Sequence, residues 1–499
     1  MMHERPKKYF CLCMQAASGE TIPLADIMKQ HEISESPAFV RTIAELLTGG
    51  IAMEHAKTKK SMLLGWGVGD LGFQLMIMVS VSYFAAFLTD YAKFPVVMSG
   101  AILTIVGIGD AITQPFSGVL VTKMNMKWGK YRSWYLVGPP IVALFFILGY
   151  TKLGSDMTAA VVIVATYVLC RFTFNCIWSA HLALIPYITK DPAERSFLSA
   201  SRGIYQTVGT FIFSAISLTV MTVLVDHFGQ VTGVTITAAV FSLFMIAGYL
   251  VSYFATKGVE EPKLTDGAAK EKTGFMDFIN SIIKNPPLLV LMIAEFLRNI
   301  SNFMFTIFIF YYWKYTTDSF LMYSAFMTGV NLVKLIGASA TAYIAGKIGP
   351  KNAYLFGSIA CGLFFILAWL NAGNIVLFTA FCMLAFFAVS LPVGVTSIMF
   401  THTAMYSQWK TGKDNRAFVV GLIGFPVKIA SFVKGTLMAI GLTAMGYVAD
   451  GAVTPAVVSG IYKEVALMPG IWSLLSGIVV VFYALNNKMV KQMTEQMGE

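Results

Sequence analysis

Apolar residues run along this chain in long unbroken blocks rather than in short alternating or one-faced patches. From residue 62 to residue 486, apolar stretches of about 20 residues follow one another between short polar breaks. A helix of that length crosses a bilayer at 1.5 Å rise per residue. Twelve spans are predicted: 62–89, 95–122, 133–150, 158–188, 197–226, 231–256, 286–313, 319–345, 352–371, 374–405, 417–447 and 468–486. The second is long enough to tilt. Residues 1–58 read as a soluble N-terminal extension, with "AFVRTIAELLTGG" suited to a short amphipathic helix stopped by Gly49 and Gly50. The apolar part of "KKYFCLCMQAASG" is too short for a signal peptide.

Charge placement orients these spans. Lys123, Lys127, Lys130 and Arg132 follow the second span, and "TKDPAERS", "GKIGPK" and "SQWKTGKDNR" follow the fourth, eighth and tenth. The opposite loops are short and carry about one lysine each, Lys93, Lys152 and Lys314. Positive loops stay inside, so both termini are expected in the cytoplasm and the chain in the inner (plasma) membrane. The charged stretch 257–285 reads as a cytoplasmic linker, with "GFMDFINSIIKN" suited to a second amphipathic helix. The expected division is an extension at 1–58, a six-helix bundle at 59–256, the linker at 257–285, and a second six-helix bundle with a short tail at 286–499. Two bundles with a cleft between them suit alternating access.

Composition agrees: 57% of residues are hydrophobic and 12% charged, where soluble domains are nearer 25% charged. The expected class is an all-α integral membrane protein of twelve transmembrane helices. The net charge of +10 lies in loops, so it reads as topology and attraction to anionic lipid, with no nucleic-acid partner. The six cysteines make neither a disulfide framework nor a zinc pattern. A G-x-S-x-G nucleophile and a phosphate-binding glycine loop are lacking, so no enzyme is expected.

Ionisable residues inside the spans are the candidate chemistry, because each costs several kcal/mol or more unless it faces a cavity or a partner. Asp110 lies mid-span in "GDAITQPFSG", with Gln114 four residues on. Arg171, Asn175 and Trp178 share one helical face. They suit either an anion fork with a stacking platform or a pairing of Arg171 with Asp110. Glu295 and Arg298 can neutralise each other at i, i+3, beside Asn302. Asn331 and Lys334 share a face of the eighth span, as substrate contacts or as structure. Lys428 sits about 16 Å into the eleventh span, too deep for an idle lysine, and Lys434 points to a different face. His181 is a proton relay or a packed histidine. Few acids answer these cations, so an anionic small solute is expected, such as a hexuronide, glucuronide or other organic acid.

The stretches "GWGVGDLGFQ" (65–74), "GDAITQPFSG" with "KWGKYRSW", "YITKDPAERSFLSASR" (187–202), "NPPLLVLM…YYWKY" (285–315) and "WKTGKDNRAFVVG…VKIASFVKG…GY" (409–447) resemble the glycoside–pentoside–hexuronide:cation symporters of the major facilitator superfamily, typified by the melibiose permease. The resemblance implies a major facilitator fold and uptake of a small solute with Na⁺ or H⁺. It places Asp110 at the first of two coupling acids, with Gln114 where the second belongs and Gln74 at the polar position of the first helix. Lys428 matches the family's functional lysine, and Arg202 an arginine expected in an inter-helix ion pair. The sugar-binding acid of relatives stands near Trp178, the following proline corresponds to Ala180, and acids before "WKTG" are replaced by His402, Met405 and Gln408. A single acid offers Na⁺ weaker charge compensation than two, which favours H⁺ over Na⁺ with no other cofactor. The expected function is a proton-coupled symporter of a small anionic solute, acting as a monomer in the bilayer. The alternatives are a sodium-coupled neutral-sugar symporter, a uniporter or exchanger of the same fold, and a non-transporting receptor.

Overall fold

A computed structural model describes residues 58–124, 126–259, 285–317, 319–411, 419, 422–449 and 451–497. The chain divides into Met1–Ala56 and Lys57–Glu499, and the described residues belong to the second unit. The amphipathic helices expected within 38–50 and 274–284 lie outside them.

Twelve helices make the crossings among the described residues: α1 Lys60–Ala86, α2 Val96–Lys123, α3 Ser133–Leu148, α4 Asp156–Ile188, α5 Pro192–Phe228, α6 Gln230–Ala255, α7 Pro286–Tyr315, α8 Met322–Ile348, α9 Pro350–Leu370, α10 Ile375–Thr411, α11 Phe425–Ala444 and α12 Pro455–Val481. A polar helix, α13 Asn487–Met497, follows. Eleven crossings meet the length and hydropathy of a membrane span; α3 is shorter, at 16 residues with Pro139 and Pro140 inside it. Local chemistry starts several of them. Asn285 caps α7 by accepting from the Leu288 amide, and Thr454 caps α12 through the Val457 amide, each followed by proline.

Two expectations are corrected. The last crossing begins at Pro455, not at 468, because Lys463 and Glu464 lie in a π-turn within the helix rather than in a loop. Helix α10, expected to end at 405, runs on to Thr411 and so carries Gln408 as well as His402 and Met405.

Each six-helix half is tied by close approaches of its first and last helices. In α1, a Cβ on Gly72 would lie 2.4 Å from the Phe244 carbonyl oxygen of α6, so only glycine admits this crossing. The Ser252 hydroxyl of α6 donates to the Trp66 carbonyl of α1 (2.7 Å), and Ser476 of α12 donates to the Ala294 carbonyl of α7 (2.8 Å).

The halves meet along α2 with α11, α5 with α8, and α1 with α7. One end of the bundle carries Tyr91, Tyr315 and Tyr447 (the tyrosine end); the other carries Lys123, Lys127, Lys130 and Arg132 (the basic end). Among the described residues, the bonds joining the halves cluster between the tyrosine end and mid-membrane. They include Thr89 to Tyr311 (2.7 Å), Thr104 to Thr436 (3.1 Å), Ser214 to Thr328 (3.3 Å) and Asp110 to Lys428 (2.5 Å).

Candidate functional site

Asp110 is buried midway along α2 and carries the densest charge cluster between the halves. Its Oδ2 accepts from Arg171 Nη2 of α4 (3.1 Å) and Lys428 Nζ of α11 (2.5 Å), and its Oδ1 accepts from Asn175 Nδ2 of α4 (3.0 Å). Arg171 and Asn175 reach the same carboxylate because they stand one helical turn apart. Lys428 is the member from the other half. Lys434 lines the same cavity of about 240 Å³, with Nζ 4.8 Å from the Phe303 ring centroid. One carboxylate therefore faces three cations, in walls that include Ser80, Tyr167 and Ser431. Lys434 is on a different face of α11 from Lys428, as expected from the spacing, yet both line this cavity.

The other coupling candidates stand elsewhere. The Gln114 side chain is exposed, and among the described residues no hydrogen bond joins it to Asp110. Gln74 donates to the Thr210 hydroxyl of α5 (2.8 Å) instead of joining the Asp110 cluster. The i, i+4 reading placed a second oxygen at Asp110; the structure fills that space with Arg171, Asn175 and Lys428.

Trp178 is also separated from Arg171 in its contacts. The Arg202 guanidinium lies 4.0 Å from its ring centroid, so one face of the indole is covered by a protein cation. Arg202 pairs with buried Asp70 of α1 (3.2 Å). Asp70 also meets His181 Nε2 (2.9 Å), and His181 Nδ1 meets the Tyr135 hydroxyl (2.8 Å) while its ring stacks on Trp66 at 4.0 Å. His181 is fully buried in this network, the packed-histidine alternative.

In the second half Glu295 accepts from Arg298 through both oxygens (3.2 and 2.6 Å) and from the Thr396 hydroxyl (2.7 Å). Arg298, Asn302, Asn331 and Lys334 line a different cavity, between α7, α8 and α10, which Thr207 and Thr210 of α5 border. Asn331 and Lys334 are thus not part of the Arg171 cluster. The buried cysteines Cys170, Cys176, Cys361 and Cys382 are unpaired, in keeping with small apolar residues.

Sequence reasoning missed the cluster at the tyrosine end. Asp90 sits in a π-turn, Phe87–Tyr91, that continues α1, and it is fully buried. Lys314 Nζ (2.6 Å) and the Tyr315 hydroxyl (2.9 Å) donate to its Oδ2, and the Tyr447 hydroxyl donates to its Oδ1. All three donors come from the opposite half. The π-turn re-aims Asp90 across the interface, as such turns often do at functional positions. The signals available were the tyrosines of "YYWKY" and its Lys314, one of the lysines of the less basic loops.

The arrangement is a cavity between two helical bundles, closed at one end and lined with excess positive charge. It suits holding and releasing a small solute. The profile of the family described as MFS/sugar transport protein matches residues 65–487. A candidate sulfoquinovose importer of Escherichia coli is 27% identical, over 87% of this chain and 93% of its own length. A glucuronide carrier protein homolog of the same organism is 24% identical, over 86% and 93%. The fold is similar to a crystal structure of a mutant of the nucleoside transporter NupG, with TM-score 0.64 and 13% identity over 85% of this chain and all of that one. The chain belongs to the MFS/sugar transport protein family and is a multi-pass membrane transporter of small molecules rather than an enzyme.

Proposed function

We propose that the protein is a proton-coupled symporter of a small hydroxylated anion, a hexuronide, sulfonated sugar or related organic acid. The observation that carries the reading is the lone Asp110 carboxylate facing Arg171, Lys428 and Lys434 in one cavity between the halves. A desolvated cation without enough carboxylate is stabilised by an anion that the substrate brings. A neutral sugar offers no such compensation. The names of the two relatives, a sulfoquinovose importer and a glucuronide carrier homolog, support this charge class.

Coupling follows from competition for the same cations. An arriving carboxylate or sulfonate draws Arg171 and Lys428 from Asp110. An unpaired carboxylate in a dry cavity is costly, and a proton removes that cost. Solute and proton then travel together. Weak compensation of Na⁺ by a single acid favours H⁺, and competition for the cations around Asp110 is a second support for that reading. We place the basic end in the cytoplasm by its loop charges, in the inner (plasma) membrane. The closed tyrosine end then faces outward and the state is inward-open. One chain, acting as a monomer, holds the whole cavity.

The test is uptake of radiolabelled D-glucuronate and methyl glucuronide into proteoliposomes under an imposed pH gradient. We expect accumulation with the acidic side outside, abolished by a protonophore, and equilibration without accumulation for Asp110→Asn. Sodium-stimulated uptake at fixed pH, or a preference for neutral methyl glycosides, would overturn the reading. Equilibration without accumulation by the unaltered protein would identify a uniporter.

A further inference from the structure

The cavity between α7, α8 and α10 is lined by polar groups whose needs the protein does not meet. It encloses about 410 Å³. The carboxylate beside it, Glu295, is taken up by Arg298 and Thr396. Lys334 meets no carboxylate among the described residues, and its Nζ lies 4.4 Å from the Phe386 ring centroid. Asn331, one turn before it on α8, has a buried Nδ2 with no acceptor. A buried amide donor without a partner is costly, and the partly exposed Lys334 carries a charge that no carboxylate among the described residues answers. Both unmet groups face one volume, and both ask for an anionic oxygen.

Across the cavity, α5 offers the opposite polarity. The Thr207 hydroxyl spends its hydrogen on the Gly203 carbonyl (2.8 Å), so its oxygen remains an acceptor toward the cavity. A ligand with an acidic group toward α8 and hydroxyls toward α5 would satisfy both walls. Among the described residues lining the cavity, Lys334 is the one cation without a carboxylate, so a monoanion fits the charge better than a phosphate dianion.

We propose that this pocket is an anion-binding site separate from the Asp110 cavity, in which Lys334 Nζ and Asn331 Nδ2 hold the carboxylate or sulfonate of a hydroxylated acid. It stands without the coupling scheme, since none of its residues touches Asp110.

The experiment is competitive reductive methylation of the purified full chain in detergent, with mass spectrometry reading Lys334. The probes are D-glucuronate and methanesulfonate at constant ionic strength, with methyl glucoside as the neutral control and exposed Lys347 as internal reference. Both anions are expected to slow labelling of Lys334 saturably, with Lys347 and the neutral control unchanged. Asn331→Asp supplies the missing anionic oxygen from the protein itself, and should raise the protecting concentration at least about tenfold. Lys428→Gln, which alters the other cavity, should leave protection of Lys334 in place. Lys334 labelling indifferent to both anions, or slowed equally by methyl glucoside, overturns the proposal. So does protection that is lost in Lys428→Gln and kept in Asn331→Asp, which would assign the anion to the Asp110 cavity.

Discussion

Arg298 cannot shed its proton, so its place inside the bundle depends on what answers its charge. Glu295 answers it at 2.6 Å, with the glutamate buried and the arginine mostly so. Removing one partner of such a pair leaves an uncompensated charge, and Glu295→Gln is expected to cost about 3–5 kcal/mol of stability. The check is denaturant unfolding in detergent together with an Arg298→Gln double-mutant cycle, in which the double variant should recover much of the loss. A second prediction concerns Gln114. Because Arg171 and Lys428 already occupy Asp110, Gln114→Asp should not install sodium dependence on its own, and uptake in Na⁺ and K⁺ media should remain equal within about twofold. At this scale the sequence was partly legible. Asp110, Arg171 and Lys428 stood out because charge in an apolar span is rare, and i, i+3 spacing pointed to Glu295 with Arg298. Their partners across helices depended on rotations that spacing does not encode, so Gln114, Gln74 and Trp178 were grouped with the wrong neighbours.

The helices meet where side chains are missing. A Cβ on Gly435 of α11 would lie 2.7 Å from the Gly100 carbonyl oxygen of α2 and 2.7 Å from the Thr104 amide nitrogen. Backbone atoms cannot swing aside, so this contact between the halves requires glycine. Gly435→Val is expected to wedge α2 from α11 and favour the state open at the tyrosine end. Maleimide labelling of a Thr104→Cys reporter, with Cys11 and Cys13 replaced by serine, should accelerate about tenfold, the equivalent of ~1.4 kcal/mol. An unchanged rate would mean that the halves part elsewhere. Element boundaries were readable where apolar runs ended in loops carrying basic residues. They failed at α12, where Lys463 and Glu464 continue inside the helix, and at α10, which runs on to Thr411 past the expected end at 405. The π-turn ending α1 was not legible as a turn, since its polar residues Thr89, Asp90 and Tyr91 read as the ordinary close of the first span.

At the scale of the molecule, twelve crossings followed directly from apolar length, because a bilayer imposes that length on every span. The closed tyrosine end did not, since closure depends on one acid meeting three donors far away in the chain. Asp90 receives Lys314, Tyr315 and Tyr447, all from the second half, and the two tyrosines are themselves 3.0 Å apart. Among the described residues at the tyrosine end, this latch is the charged contact between the halves, and it must break for that end to open. Hydrogen bonds to a charged group contribute ~1.5–3 kcal/mol, so Asp90→Asn should move the equilibrium toward the opposite state by about ten- to a hundredfold. Spin labels at Met157→Cys and Val376→Cys, both exposed near the tyrosine end, should report a longer distance distribution, with Tyr447→Phe giving a smaller shift. Burial and the Asp90 carboxylate push the Tyr447 phenol well above the usual tyrosine range. It therefore keeps its proton while a free tyrosine begins to lose one, and the latch should stay shut between pH 8 and about 9.5. Above about 10 the unfolded chain releases a proton that the folded phenol retains, so stability falls as pH rises there. Opening between pH 8 and 9.5 in the unaltered protein, with Asp90→Asn insensitive over the same range, would show instead that ionisation of a donor to Asp90 controls the gate.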